Sequence, residues 1–218
     1  MAGCTSVIGG HAVPATNGVS AVAGSAVAVA VEPMGGCARS ADPASCVQWK
    51  ETAFDTGEKL VATAHADPEI AGQMVCSAIS DAQWQTYLGK DFYRYLADGA
   101  CTVSSQDNQL MVRAAVLPGM SWSDTVEAAG KTAVSTTTTF TIHDRAVLRS
   151  APASTVDGIG QDVEDLTIGA TDEFQPWVLR VQVLLQQPRG KASTTPVDRG
   201  RLGFRDALVS DLLTNLFP

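Results

Sequence analysis

The ten residues from Trp177 to Gln186 (WVLRVQVLLQ) leave little choice but a β-strand. Nearly all are β-branched or aliphatic, and Arg180, Gln182 and Gln186 fall on one alternating face. The same period of two appears in Ala100 to Ser104 and in Leu110 to Leu117, separated by the polar turn Ser105-Gln106-Asp107-Asn108-Gln109. Leu110, Val112, Ala114 and Val116 then share one side, and Pro118-Gly119 ends the strand. Thr136 to Leu148 reads as a further strand or a hairpin, with Phe140 and Ile142 inward and threonines outward.

Helical signals are interleaved with these strands. Asp67-Pro68-Glu69 is a helix start, with a capping acid, proline at the first position and an early carboxylate. Ser80 and Gln83 form a capping box with Ile79 and Trp84 at the staple positions, and Gly89 suits the stop. This spacing predicts a helix over Asp81 to Leu88. Trp122, Val126, Ala129 and Ala133 recur at helical spacing behind Ser121 or Ser123. Phe204, Leu208, Leu212 and Leu216 repeat every four residues at the end of the chain. Lys59 to Ala64 fits strand or helix, and Trp49 and Phe54 are expected to be packed. No parallel crossover repeat is evident. The expected fold is therefore α+β: an antiparallel sheet with helices packed on one face, preceded by a flexible N-terminal arm.

The arm follows from composition. Residues 5 to 32 hold Ala, Val, Gly, Ser, Thr and Pro with almost no charge and no sustained period. The alternative is a strand over Ala26 to Val31 that pairs with the domain edge. We divide the chain into 1–32, a tether, and 33–218, a single α+β domain. Met1-Ala2-Gly3-Cys4 reads as the stump of a lipoprotein signal, Leu-Ala-Gly-Cys, with Met1 where the Leu would stand. Cys4 is then the lipidation site, and the expected location is the outer face of the plasma membrane, in the cell envelope. The apolar run Val19 to Val31 is too short to span a bilayer, which takes about 20 residues, so attachment falls to the lipid.

Five cysteines make an odd number. Setting Cys4 aside leaves Cys37, Cys46, Cys76 and Cys101, with three possible pairings. We favour Cys37–Cys46, which closes a loop rich in turn formers, and Cys76–Cys101, which ties a helix approach to a strand. Zinc is the rival reading, but the spacings lack close Cys pairs or nearby His ligands. The net charge of -8, without a basic run, argues against nucleic acid and against an anionic membrane surface.

Three stretches carry the resemblance to a known group. They are Cys76-Ser-Ala-Ile-Ser-Asp-Ala-Gln-Trp-Gln-Thr-Tyr-Leu88-Gly89, then Gly99-Ala-Cys101-Thr-Val, then Leu110-Met-Val-Arg-Ala-Ala-Val116, with Val156-Asp157-Gly158-Ile159-Gly160 as a loose downstream turn. Over about two thirds of its length the chain resembles small actinobacterial, mycobacterial-type cell-envelope lipoproteins of unknown function. Two features depart from them. Val103 stands where an aromatic usually follows the second Cys, and the Cys37–Cys46 region has no counterpart. The resemblance implies a secreted, lipid-anchored domain with one helix-to-strand disulfide and supplies no substrate.

Chemistry-bearing patterns are sparse. His143 beside Asp144 lacks the serine elbow of a hydrolase and reads as an exposed strand end or turn. Gly158-Ile159-Gly160 fails the dinucleotide fingerprint at Val163. The acids Asp162, Glu164, Asp165, Asp172 and Glu173 lack calcium-loop spacing and read as a solvated loop. Phe92, Tyr93, Arg94 and Tyr95, close to Trp84 and Tyr87, crowd into the stretch between Cys76 and Cys101. They read as core packing around a clamped loop, or as a recognition surface. The expected function is a non-catalytic binding or adaptor module for an envelope protein or component, needing no cofactor and no metal. Two alternatives are a lipid or glycolipid carrier, holding ligand between the sheet and the Trp122 and Leu208 helices, and an envelope hydrolase.

Overall fold

The computed structural model describes residue 37 and residues 44–131, 135–152, 161–169, 176–186 and 199–218. The chain divides between Val31 and Glu32, and everything described lies after that point. Cys4, the tether, Val156–Gly160, Asp172 and Glu173 fall outside the described residues.

Among the described residues, the strands are β1 (Cys46–Gln48), β2 (Phe92–Ala97), β3 (Ala100–Ser105), β4 (Leu110–Pro118), β5 (Ser135–Ile142), β6 (Arg145–Pro152), β7 (Gln161–Gly169) and β8 (Trp177–Gln186). The helices are α1 (Gly57–Ala66), α2 (Pro68–Ser77), α3 (Asp81–Leu88), α4 (Trp122–Lys131) and α5 (Arg205–Leu216). The strands form one antiparallel sheet in the order β1-β2-β3-β4-β8-β7-β6-β5. Two meanders, β1 to β4 and β5 to β8, thus lie side by side, joined where β4 pairs with β8. The architecture is α+β.

Local chemistry explains the element boundaries. The Asp67 carboxylate accepts from the Glu69 and Ile70 N–H groups at 3.1 Å and starts α2. At α3, the Gln83 N–H donates to Ser80 Oγ at 3.3 Å, and the Ser80 N–H donates back to Gln83 Oε1 at 3.1 Å. Asp98 and Gly99 turn β2 into β3 with φ of 51° and 70°, the pair of left-handed residues that a tight hairpin needs.

Strand alternation sorts the sheet into two faces. Leu96, Cys101, Ala114, Val181 and Leu166 form one cross-strand row, and all are buried. They pack with Leu60, Met74, Trp84, Leu208 and Leu212 from α1, α2, α3 and α5. The opposite face carries a polar row through Tyr95, Thr102, Arg113, Gln182, Asp165 and Ser150.

Helix α4 departs from the expected one-sided packing. Ile168 points into the core, so Gly169 points the other way. A Cβ on Gly169 would meet the Trp122 ring at 2.7 Å, which places Trp122 on the polar-row face. None of the α4 residues is buried, and Val126 is 38% exposed. The connection from β4 to the distant edge strand β5 carries this helix onto the second face. Gly169→Ala is expected to dislodge Trp122 and to destabilise the protein by about 1–2 kcal/mol, seen as a lower urea midpoint at unchanged slope. An unchanged midpoint would show that Trp122 does not rest there.

Two open readings are settled here, and two expectations, for Phe54 and for the acidic stretch, are corrected. Lys59 to Ala64 belongs to helix α1. Phe54 is 38% exposed rather than packed. The acidic stretch at Asp162, Glu164 and Asp165 is part of strand β7, not a loop, because β8 pairs with all three and β6 with Asp165. His143 and Asp144 form the β5–β6 turn.

Candidate binding site

The structure pairs Cys37 with Cys46 and Cys76 with Cys101. The first pair anchors residue 37 to edge strand β1. The second pins α2 to β3 in the core.

Phe92 to Tyr95 form the first four residues of β2, not a loop. The strand therefore sends them to opposite faces. Phe92 and Arg94 face the helices, while Tyr93 and Tyr95 share the other side. Tyr95 is only 3% exposed, and burial raises its phenol above the usual value, against the lowering charge of Arg113. The four residues do not make one surface.

Arg94 nevertheless organises a site. Its side chain is 6% exposed, with the guanidinium carbon 4.0 Å from the Trp49 ring centroid and 5.4 Å from that of Phe92. Nη2 bonds the carboxylate of Asp81, which stands in the first turn of α3 and is 73% exposed. Burial pushes the guanidinium below its ordinary value, while the hydrogen bond and charge of Asp81, and the charge of Glu51, push it back up. Arg94, Trp49, Glu51, Ser77, Ser80 and Asp81 border a cleft of about 280 Å³.

Three elements hold this arrangement. The segment after β1 is tied to α2, where the Lys50 N–H donates to Gln73 Oε1 at 2.8 Å and the Thr52 N–H to Ser77 Oγ at 3.1 Å. The capping box fixes the start of α3 and with it Asp81. Strand β2 supplies Arg94. Buried Arg94 Nε and Trp49 Nε1 find no hydrogen-bond partner among the described residues. The site thus offers a flat, stacked cation beneath two exposed acids. Sequence reading singled out Arg94 but not its partners Trp49, Glu51 and Asp81. Their convergence depends on pairing across the fold, which no local pattern records.

His143 Nε2 lies 2.7 Å from Ser210 Oγ on α5. Among the described residues no carboxylate bonds this imidazole, and no group of three His, Cys, Asp or Glu side chains is placed to hold a metal. No described helix is long and apolar enough to cross a membrane. Among the described residues, the Trp122 and Leu208 helices sit on opposite faces of the sheet. The chain matches no protein-family model, no curated protein and no solved structure.

Proposed function

We propose that this chain is a non-catalytic binding module of the cell envelope, resembling the actinobacterial lipoproteins, held at the outer membrane face by lipid on Cys4. Its partner is an envelope protein that docks over the Trp49–Arg94 cleft. The observation that carries the binding role is the buried Arg94, stacked on Trp49 and lining an open cleft. Tryptophan and arginine are the side chains on which protein interfaces most often concentrate their energy. The exposed acids Glu51 and Asp81 at the rim suit a basic side chain from the partner. Two disulfides suit an oxidising space, where such bonds persist.

Capture from envelope extracts tests the binding role. Trp49→Ala is expected to reduce recovery of the partner by about tenfold or more, as loss of a central anchor does. Tyr93→Ala, on the opposite face, is expected to leave capture unchanged. Equal capture by the Trp49→Ala variant, with its melting curve intact, would remove the cleft from consideration. The anchor is tested separately by the intact mass of protein recovered from host membranes. A diacylglyceryl addition at Cys4 is expected, and a bare thiol there would refute it.

A further inference from the structure

A second cleft, of about 520 Å³, opens between the β5–β6 turn and the end of α5. We infer that it binds a small monocarboxylate with an apolar body. Five arginines in the described structure have a carboxylate partner: Arg94 with Asp81, Arg113 with Asp98, Arg149 and Arg205 with Asp206, and Arg201 with Asp107. Arg145, which lines this cleft, has none among the described residues. It is half-buried, and its guanidinium carbon lies 5.4 Å from the Trp177 ring centroid and 5.6 Å from that of Phe217. Those two rings stack 4.1 Å apart and give the cation a rigid wall. A guanidinium held against the edge of this ring pair loses little freedom when it meets a planar carboxylate, so its pairing energy goes into binding.

The rest of the lining sets the ligand's form. Leu213 and Phe217 offer apolar surface beside the cation. His143 stands at the mouth, its Nε2 2.7 Å from Ser210 Oγ and 3.5 Å from Thr214 Oγ1. His143 and Asp144 hold left-handed backbone, with φ of 48° and 60°. A hairpin turn takes Asn-Gly here at least strain, yet this chain spends the position on two side chains that border the cleft. Asp144 places one negative charge at the rim. It opposes a second charge on the ligand, so a carboxylate is favoured over a doubly charged phosphate monoester.

The test uses the full chain, with octanoate, octyl phosphate and octanol as probes and the Trp177 indole N–H resonance as the reporter. Octanoate is expected to move that resonance saturably, octyl phosphate to bind more weakly, and octanol not to bind. Arg145→Gln is expected to weaken octanoate binding by about tenfold or more, the usual worth of a charge-assisted hydrogen bond. Asp144→Asn, which the turn accommodates readily, is expected to strengthen octyl phosphate binding. The Trp49→Ala variant is expected to bind octanoate normally, which separates this cleft from the Arg94 site. Absence of an octanoate response overturns the inference. So does binding that octanol matches and that neither Arg145→Gln nor Asp144→Asn alters. Tighter binding of octyl phosphate than of octanoate by the unaltered chain would overturn the carboxylate assignment.

Discussion

Replacing Cys76 and Cys101 together by alanine is expected to lower the unfolding free energy by about 3.5 kcal/mol, the chain-entropy worth of a loop of this length. The two residues are 25 apart in sequence, and both are essentially inaccessible to solvent. Their bond joins α2 to β3 across the main core, so its loss frees the unfolded chain and leaves sulfur-sized gaps in packed surroundings. The bridge between Cys37 and Cys46 spans only 9 residues and holds an edge strand. Its removal is expected to cost about 2.5 kcal/mol at most on the same model. Urea unfolding of both double variants gives the order. A larger loss from the edge pair, or less than about 1 kcal/mol from the core pair, would contradict this account of what α2 contributes.

Gly72→Ala is expected to destabilise the protein by about 2 kcal/mol, although alanine is the better helix former by about 1 kcal/mol. Gly72 lies within α2, and a Cβ there would stand 2.4 Å from the Gly99 carbonyl oxygen and 3.2 Å from Leu96 Cδ2. The obstacle is backbone, so a side-chain rotation cannot relieve it. Gly99 cannot retreat easily, because its own φ of +70° forms the β2–β3 turn and its Cα side faces Pro68. The matched control is Gly130→Ala in α4, where a new Cβ meets nothing within 4 Å. That change is expected to be neutral or stabilising by up to about 1 kcal/mol. If Gly72→Ala also stabilises, the close approach of α2 to the hairpin is wrong. Because Gly72 and Cys76 dock the same helix, combining the two sets of changes is expected to give less than the sum of their separate effects.

Elements with self-contained signals were legible from residues alone. The Ser80–Gln83 box, the Asp67 cap, the four-residue leucine repeat of α5 and the apolar run of β8 each place their own hydrogen bonds or burial within a few residues. Strand β2 was not legible as a strand, because FYRYLA places large side chains on both of its faces. One set meets helices and the other meets the polar row, so simple alternation is masked. The Asp98-Gly99 pair was the usable clue to its hairpin. Strand β7 was obscured by Asp162, Glu164 and Asp165, whose charges resemble a loop until β6 and β8 are known to flank it.

The candidate sites divide along the same line. Arg94 was found because aromatics crowd it in sequence, but the tetrad from Phe92 to Tyr95 was split by the pleat. Trp49, 45 residues before it, and Asp81, 13 before it, reach it only through the β1–β2 pairing and the docking of α3. His143 and Arg145 gain their cleft from α5, more than 60 residues away along the chain. Residue order alone sets which segments curl or extend, where several of them stop, and that the whole is α+β. Those choices follow from backbone hydrogen bonds and side-chain periods that act over one or two turns. Long-range packing sets which face each strand residue takes, on which side of the sheet α4 rests, and which charges meet. Those outcomes depend on pairing between distant segments, where the competing partners are chemically similar and packing makes the choice.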